Sequence, residues 1–251
     1  MKLGAQFYSI RDHAQTPEGI RNCFREMKNI GYTVTQMSAI GPIEAEALRD
    51  ISLEFDMPIV CTHVNGNELL LDPDKFIREH KIYSCPVIGI GGMPVEYRGT
   101  LDGLKAFVKD FTPVAKKIND AGLRFAYHNH AFEFDLLDGV LPYDYLLESF
   151  ESLDFILDVY WVKYAEQDYM KYIKLIGNKR MQNIHFKDML TEPKGKICPC
   201  GKGVIDFAPV KALCEEIGIA NALVEQDNAP DSGDSFSEMR TSFNNLSYLF
   251  K

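Results

Sequence analysis

The sequence predicts one α/β domain over residues 1–251, a (β/α)8 TIM barrel, and three observations carry that prediction. The length of 251 residues is that of one such barrel, about 250. The apolar pattern switches between strand-like runs and helical spacing eight times, in units of about 31 residues, as a parallel sheet crossed by helices requires. No GxGxxG or GxxxxGK(S/T) follows a strand, and the glycine run at 89–92 has no helix in register, which argues against an open nucleotide-binding sheet.

The elements follow in order. A strand over 3–8 opens the chain. Thr16 supplies an N-cap and Pro17 the first helical position; Ile20, Cys23, Phe24, Met27 and Ile30 recur at helical spacing, and Gly31 stops the helix. A strand over 33–37 and a helix over 43–55 come next, and Met57-Pro58 opens a strand over 59–64. A helix over 73–82 leads to a strand over 87–91, and a long amphipathic helix over 101–121, stopped by Gly122, leads to a strand over 124–129. A helix over 141–150 precedes a strand over 155–158. A helix over 168–176, stopped at Gly177, precedes a strand over 181–187. Asp206 caps a helix over 207–217 that ends at Gly218; a strand over 222–225 and a helix over 236–250 complete eight units. No linker or low-complexity segment divides them.

Composition narrows the function. Apolar residues at 46% and charged residues at 25% are the balance of a folded globular chain with a full core. Lys plus Arg total 27 against 36 for Asp plus Glu, a net charge of −9, and no Lys/Arg run exceeds two residues. A nucleic-acid partner is therefore not expected. No stretch approaches 18 uninterrupted apolar residues and the first residues lack an apolar signal region, so neither a membrane span nor a secretory leader is expected. Six scattered cysteines suit a reducing, cytoplasmic setting; only Cys198 and Cys200 are close, and without a second Cys/His pair they read as a reduced structural pair.

In such a barrel the chemistry gathers where strands end. The first strand offers Gln6 and Tyr8, the third His63 and Asn65, and the fifth ends in 127–134, YHNHAFEF. The sixth ends in Asp158, followed by Tyr160 and the only tryptophan, Trp161; the seventh gives His185, Lys187 and Asp188, and the eighth Glu225 and Asp227. With a two-residue period, Asn183, His185 and Lys187 share one face of their strand and Ile184 and Phe186 the other. Glu133, Asp158, His185 and Glu225 thus come from four consecutive strands to one rim, and three converging carboxylates call for a compensating cation. An oxygen-rich set with one imidazole suits Mn²⁺, Mg²⁺ or Co²⁺. Each residue is also compatible with an ordinary cap or ion pair at a strand end. His128 competes with Glu133 for the fourth place, and Phe132 and Trp161 are either packing or a platform for the apolar face of a sugar.

These stretches, LGAQFYSIRD, FAYHNHAFEF, LDVYWVKYAEQD, NIHFKDM, GKGVIDF and LVEQD, together resemble the sugar phosphate isomerase/epimerase family of xylose-isomerase-like barrels over nearly the whole chain. The resemblance implies one divalent metal, usually manganese, held by residues matching Glu133, Asp158, His185 and Glu225. Relatives include ketose 3-epimerases, hydroxypyruvate isomerase, keto-inositol dehydratase and metal-dependent subunits of C-glycoside-cleaving enzymes, which share proton abstraction beside a carbonyl. It implies an isomerase or epimerase acting on an unphosphorylated sugar or keto-polyol through a metal-stabilised enediolate, with a lyase as the alternative. Glu133, Glu225 and His130 are the expected proton-transfer groups, Lys187 the stabiliser of the oxyanion, and Gln6, His63, His128 and Trp161 the substrate-binding residues. One loop departs from the family: Cys200-Gly201-Lys202-Gly203 stands where relatives usually carry Gly-Glu-Gly. Endonucleases acting at abasic sites share the fold, but they need several metals and a basic surface that this chain lacks. Short loops leave little for a lid, so a homo- or hetero-oligomer, or a metal-binding subunit completed by a second chain, is the remaining expectation.

Overall fold

The computed structural model describes residues 1–251. Eight parallel strands close into a barrel: β1 (Lys2–Gln6), β2 (Val34–Ser38), β3 (Ile59–Val64), β4 (Val87–Ile90), β5 (Arg124–His128), β6 (Asp154–Asp158), β7 (Asn183–Phe186) and β8 (Asn221–Val224). Each strand pairs with its neighbours in sequence, and β8 closes on β1 with Ala5 opposite Val224. The main helices alternate with them: α1 (Pro17–Ile30), α2 (Ala45–Glu54), α3 (Pro73–Ile82), α4 (Leu101–Asp120), α5 (Pro142–Ser149), α6 (Tyr169–Arg180), α7 (Phe207–Ile217) and α8 (Ser235–Leu246). The caps act where the residue types placed them: Thr16 Oγ1 accepts from Gly19 N–H at 3.1 Å, Asp206 from Ala208 N–H at 3.1 Å, and Gly218 ends α7 in the left-handed conformation.

The two faces of the strands build two cores. Inside, Val34, Cys61, Val87, Ala126, Ile156 and Leu223 form a closed apolar plug. The interior is tight at Gly4, where a Cβ would meet Leu223 Cδ2 at 2.6 Å and Val34 Cγ2 at 2.7 Å. Outside, a continuous layer of 60 buried residues joins strands to helices; Phe186, for example, stacks on Phe207 of α7 at 4.7 Å. The plug seals the barrel from below, so polar side chains one step further along the strands are held at the mouth.

The differences from the sequence expectations are local. The first strand ends at Gln6 and a 3₁₀ turn, Phe7–Ile10, follows, because Gln6 Oε1 caps Tyr8 N–H at 2.6 Å. Two short helices stand where loops were expected, Gly66–Leu71 capped by Asn65 and Val159–Tyr164 capped by Asp158. The break at Gly177 is present (φ 62°, ψ 178°), but a further turn continues to Arg180. The last helix ends at Leu246 and tightens into a 3₁₀ turn, Ser247–Phe250. After β7 a two-residue hairpin pairs Asp188–Met189 with Ile197–Cys198. Asp188 gathers the backbone N–H groups of Met189, Gly201, Gly203 and Ile205 at 2.9 to 3.0 Å. That carboxylate, with the Cys200 thiol donating to Phe186 O at 3.2 Å, fixes the Cys-Pro-Cys and Gly-Lys-Gly segment. All six cysteines are free.

Candidate metal centre and active-site mouth

At the C-terminal end of the barrel, His128, Asp158, His185 and Glu225 converge, each offering one ligand-type atom within 4.8 Å of all the others. Their strands are β5, β6, β7 and the end of β8, and all four side chains are buried. His128 Nε2 lies 3.3 Å from Asp158 Oδ2 and 3.7 Å from Glu225 Oε2, and His185 Nδ1 lies 2.9 Å from Glu225 Oε2 and 3.9 Å from Asp158 Oδ2.

A second layer aims each of the four. Glu225 Oε1 accepts from Gln6 Nε2 at 2.6 Å, leaving Oε2 for the cluster. Asp158 Oδ1 accepts from Tyr160 N–H at 2.8 Å and Trp161 N–H at 3.3 Å, leaving Oδ2. His128 Nδ1 donates to Gly91 O at 3.3 Å, and His185 Nε2 to Gln36 Oε1 at 2.7 Å. Because both outer partners are oxygen acceptors, each ring in its neutral form carries its hydrogen on the outer nitrogen and turns a lone pair toward two carboxylate oxygens. Four lone-pair donors facing one point repel one another unless a cation sits among them. The residues present fit a divalent ion in donor type, number and spacing.

Around the cluster the charges are closely balanced. Burial pushes the Asp158 and Glu225 carboxyls up, yet the Lys187 ammonium and the imidazoles overcome it and hold both below the usual carboxylate range. Burial likewise disfavours charge on His128, but the Asp158 and Glu225 carboxylates lift it above an ordinary histidine. Lys187 Nζ is 2.6 Å from Asp227 Oδ1, 3.5 Å from Glu225 Oε2 and 3.6 Å from Asp158 Oδ2, and these carboxylates outweigh its burial and keep it protonated. Asp227 is raised by burial and by the charge of Glu225. His63 and His130 are held down, first by burial and then by the neighbouring His128; His130 falls to about 3.

A cavity of about 320 Å³ opens above the cluster, walled by Tyr8, Ser38, His63, Asn65, His128, His130, Lys187, Glu225 and Asp227 among others. Of the residues expected at the mouth, His63, His128, His130, Lys187 and Glu225 therefore line this space, and Asp158 and His185 lie in the cluster below it. Three stand elsewhere. Glu133 is corrected outright as a member of the cluster: β5 ends at His128, the chain turns, and its buried carboxylate points back to accept from the Tyr127 hydroxyl and from His130 N–H (2.8 Å). Tyr127 belongs to the outward face of β5, so its hydroxyl draws Glu133 away from the four, and His128 stands in the place expected of it. Gln6 is fully buried with both amide atoms engaged, and supports Glu225 instead of facing the cavity. Trp161 packs behind His130, ring centres 5.1 Å apart, with Lys187 Nζ 5.0 Å over its face, outside the cavity wall. Two further residues of the site have weaker signals in the sequence: Gln36, a polar residue at inward parity with Val34, and Asp227, two residues beyond Glu225.

The misplaced glutamate carries a measurable consequence. Burial lifts Glu133 from 4.5 to about 7 against the hydrogen bonds of Tyr127 and His130. Between these values the folded protein holds a proton that the unfolded chain has lost, so stability falls as pH rises through that window, by roughly 3 kcal/mol, and levels off above it. Replacing Glu133→Gln is expected to remove this component while costing about 1 kcal/mol for one hydrogen bond. Urea unfolding at both ends of the window checks it; an unchanged pH slope in the variant would refute the assignment.

The profile of the xylose isomerase-like TIM barrel family matches residues 24–232. The chain belongs to the xylose isomerase-like TIM barrel family. Among solved structures, a sugar phosphate isomerase/epimerase from Parabacteroides distasonis superposes with a TM-score of 0.80 at 18% identity, covering 100% of this chain and 96% of that one. A D-allulose 3-epimerase from Methylomonas sp. gives 0.73 at 13% identity, covering 99% and 98%. A probable 3-DHS dehydratase from Bacillus anthracis gives 0.73 at 10% identity, covering 96% and 98%. At these identities the likeness is one of fold. No curated protein sequence matches the chain. Proteins described as isomerase, epimerase and probable dehydratase thus share this barrel, and no helix of this chain is long and apolar enough to cross a membrane.

Proposed function

We propose that this family member is a divalent-metal-dependent isomerase or epimerase that removes a proton next to the carbonyl of an unphosphorylated sugar or keto-polyol. The observation that carries the reading is the set of four inward lone pairs, each oriented by its own second-layer partner. His128, Asp158, His185 and Glu225 would hold the ion, manganese being the expected one, which supplies positive charge for the enediolate that forms as the proton leaves. Glu225 takes that proton. Asp227, not Glu133, is the second carboxylate that lines the cavity, and its position beside Lys187 and Glu225 supports the reading that it returns the proton. The Lys187 ammonium faces the developing oxyanion. His63 and His130 are neutral and weakly basic, which suits hydrogen bonding to hydroxyl groups and not proton transfer. The absence of a cationic cradle in the cavity, where Lys187 is already matched by carboxylates, favours an unphosphorylated substrate.

One observation favours a lyase as the second reading. Glu225 and Asp227 both hang from the end of β8, so one face of a substrate meets both, as removal of a proton and a hydroxyl from the same face requires. The free cysteines suit a reducing cytoplasm. A neighbouring subunit, identical or different, would cover the open mouth, where Leu71, Val95 and Leu136 on the loops after β3, β4 and β5 are 84%, 77% and 67% exposed.

The test is exchange of the proton beside a ketose carbonyl with deuterated solvent, by the purified chain with Mn²⁺ and again after chelation. Exchange that chelation abolishes is expected; retention of the sugar without loss of water assigns isomerisation or epimerisation, and an unsaturated product assigns the lyase. Metal binding without any exchange would overturn the autonomous enzyme in favour of a subunit that needs a partner.

A further inference from the structure

A second space adjoins the cavity above the cluster on the side of β2 and β3. Ser38, His63 and Val64 belong to the wall of the first and also to the wall of the second, a cavity of about 830 Å³, which runs between α2 and α3 beneath the loop that follows β2. The first space alone, about 320 Å³, is at the lower end of what small-molecule sites occupy, roughly 300–1,000 Å³, and takes one sugar ring. The second is far larger than any part of such a ring that could protrude from the first.

Its chemistry is selective. Ile43 and Leu48 give an apolar side, while Glu44, Glu68 and Glu79 face a single ammonium, Lys75. That excess of carboxylates repels a phosphate or an acidic sugar, and the mixture of apolar surface with hydrogen-bonding groups matches an uncharged ring bearing hydroxyls. Between the two spaces stands His63, whose buried Nε2 makes no hydrogen bond in the protein. A buried ring nitrogen without a partner is costly, and a sugar hydroxyl, donor and acceptor at once, would satisfy it in either tautomer.

We infer that the substrate carries a second, uncharged ring seated in this annex, so that the enzyme acts on a glycosylated ketose or keto-sugar in preference to the free monosaccharide. The inference rests on the metal-dependent proton abstraction proposed above, and adds the substrate class that the same mouth selects. The ring that reacts lies over His128, Asp158, His185 and Glu225; the annex ring lies past His63 and supplies binding energy without touching the reacting atoms.

A panel of D-fructose and its four glucosyl derivatives substituted at O3, O4, O5 or O6 (turanose, maltulose, leucrose and isomaltulose) separates the possibilities. All keep the same carbonyl. Deuterium incorporation by the Mn²⁺-loaded chain is read by mass spectrometry of the quenched sugar. At least one glucosyl-fructose is expected to exchange with a kcat/KM about ten-fold above that of fructose, expressed mainly in KM. Ala45→Trp and, independently, Ile43→Trp fill the annex and should bring that ratio back to about one, with metal content and far-ultraviolet circular dichroism as checks on folding. Fructose matching all four derivatives in the wild type, or a preference that survives both substitutions, overturns the annex. Should no sugar exchange at all, the proposed reaction fails, and binding decides the annex by itself. Saturation transferred from the Mg²⁺-loaded protein to the glucosyl protons, and lost in both variants, upholds it; transfer to neither ring, or transfer unchanged in the variants, refutes it.

Discussion

Substituting Asp158 or His185 by Ala is expected to take the protein from about one bound divalent ion per chain to less than about a tenth. The two residues fail for the same reason by different routes. His185 loses a lone pair that Gln36 holds in place from behind, and the outer shell has nothing to substitute for it. Asp158 loses the cluster oxygen Oδ2 and, with Oδ1, the cap of the Val159–Tyr164 helix, so its alanine variant should also lose about 1 kcal/mol of stability without metal. Asp158→Asn separates these effects, since its amide oxygen can still cap while its NH₂ group faces the cluster. Elemental analysis of dialysed protein gives the primary measurement. Thermal unfolding gives the second: an ion at about 100 times its Kd stabilises the wild type by about 2.7 kcal/mol, which for a chain of this length raises Tm by roughly 5–10 °C. The variants should show no such rise, and full metal occupancy in either one would sink the assignment.

Glu225→Gln is expected to behave differently, keeping part of the metal binding while lowering proton exchange by about 10³-fold. The substitution preserves shape and a hydrogen bond with Gln6, but it replaces an anion by a neutral amide at the oxygen that faces the cluster. Three donors remain, and Lys187 loses one of its three carboxylate neighbours. The loss should appear in kcat more than in KM, because the carboxylate acts as the proton leaves. Unchanged turnover would transfer the base role to Asp227, the other carboxylate at the mouth.

The two substitutions together distinguish holding an ion from moving a proton, and both depend on the second layer. Gln6, Gln36, the Gly91 carbonyl and the amides of Tyr160 and Trp161 each occupy the far side of one cluster residue. That layer also explains why Gln6 is at the mouth without lining it. Its inward position was readable from strand parity; its engagement by Glu225, 219 positions away, was not.

Helix starts at Thr16-Pro17 and Asp206, the helix over 73–82 and the strand over 59–64 were legible because local caps and periodicity determine them. Asp158, His185 and Glu225 were legible because each sits on or just past a strand whose two-residue period says which side chains turn inward. Glu133 was not, since period two holds only while the strand lasts. Beyond His128 the backbone turns, and the direction of each later side chain is decided by what the turn packs against. His128 and Glu133 are five positions apart in the chain and end on opposite faces of the barrel wall.

By itself, then, the sequence determined the eightfold alternation, the closure it implies, and three of the four residues at the mouth, because these follow from local patterns repeated along the chain. Only the tertiary structure decided the fourth residue, the partners that aim all four, and the annex between α2 and α3. Those depend on groups brought together by barrel closure from distant positions, where distance, direction and burial, and not residue type, settle which lone pair meets which neighbour.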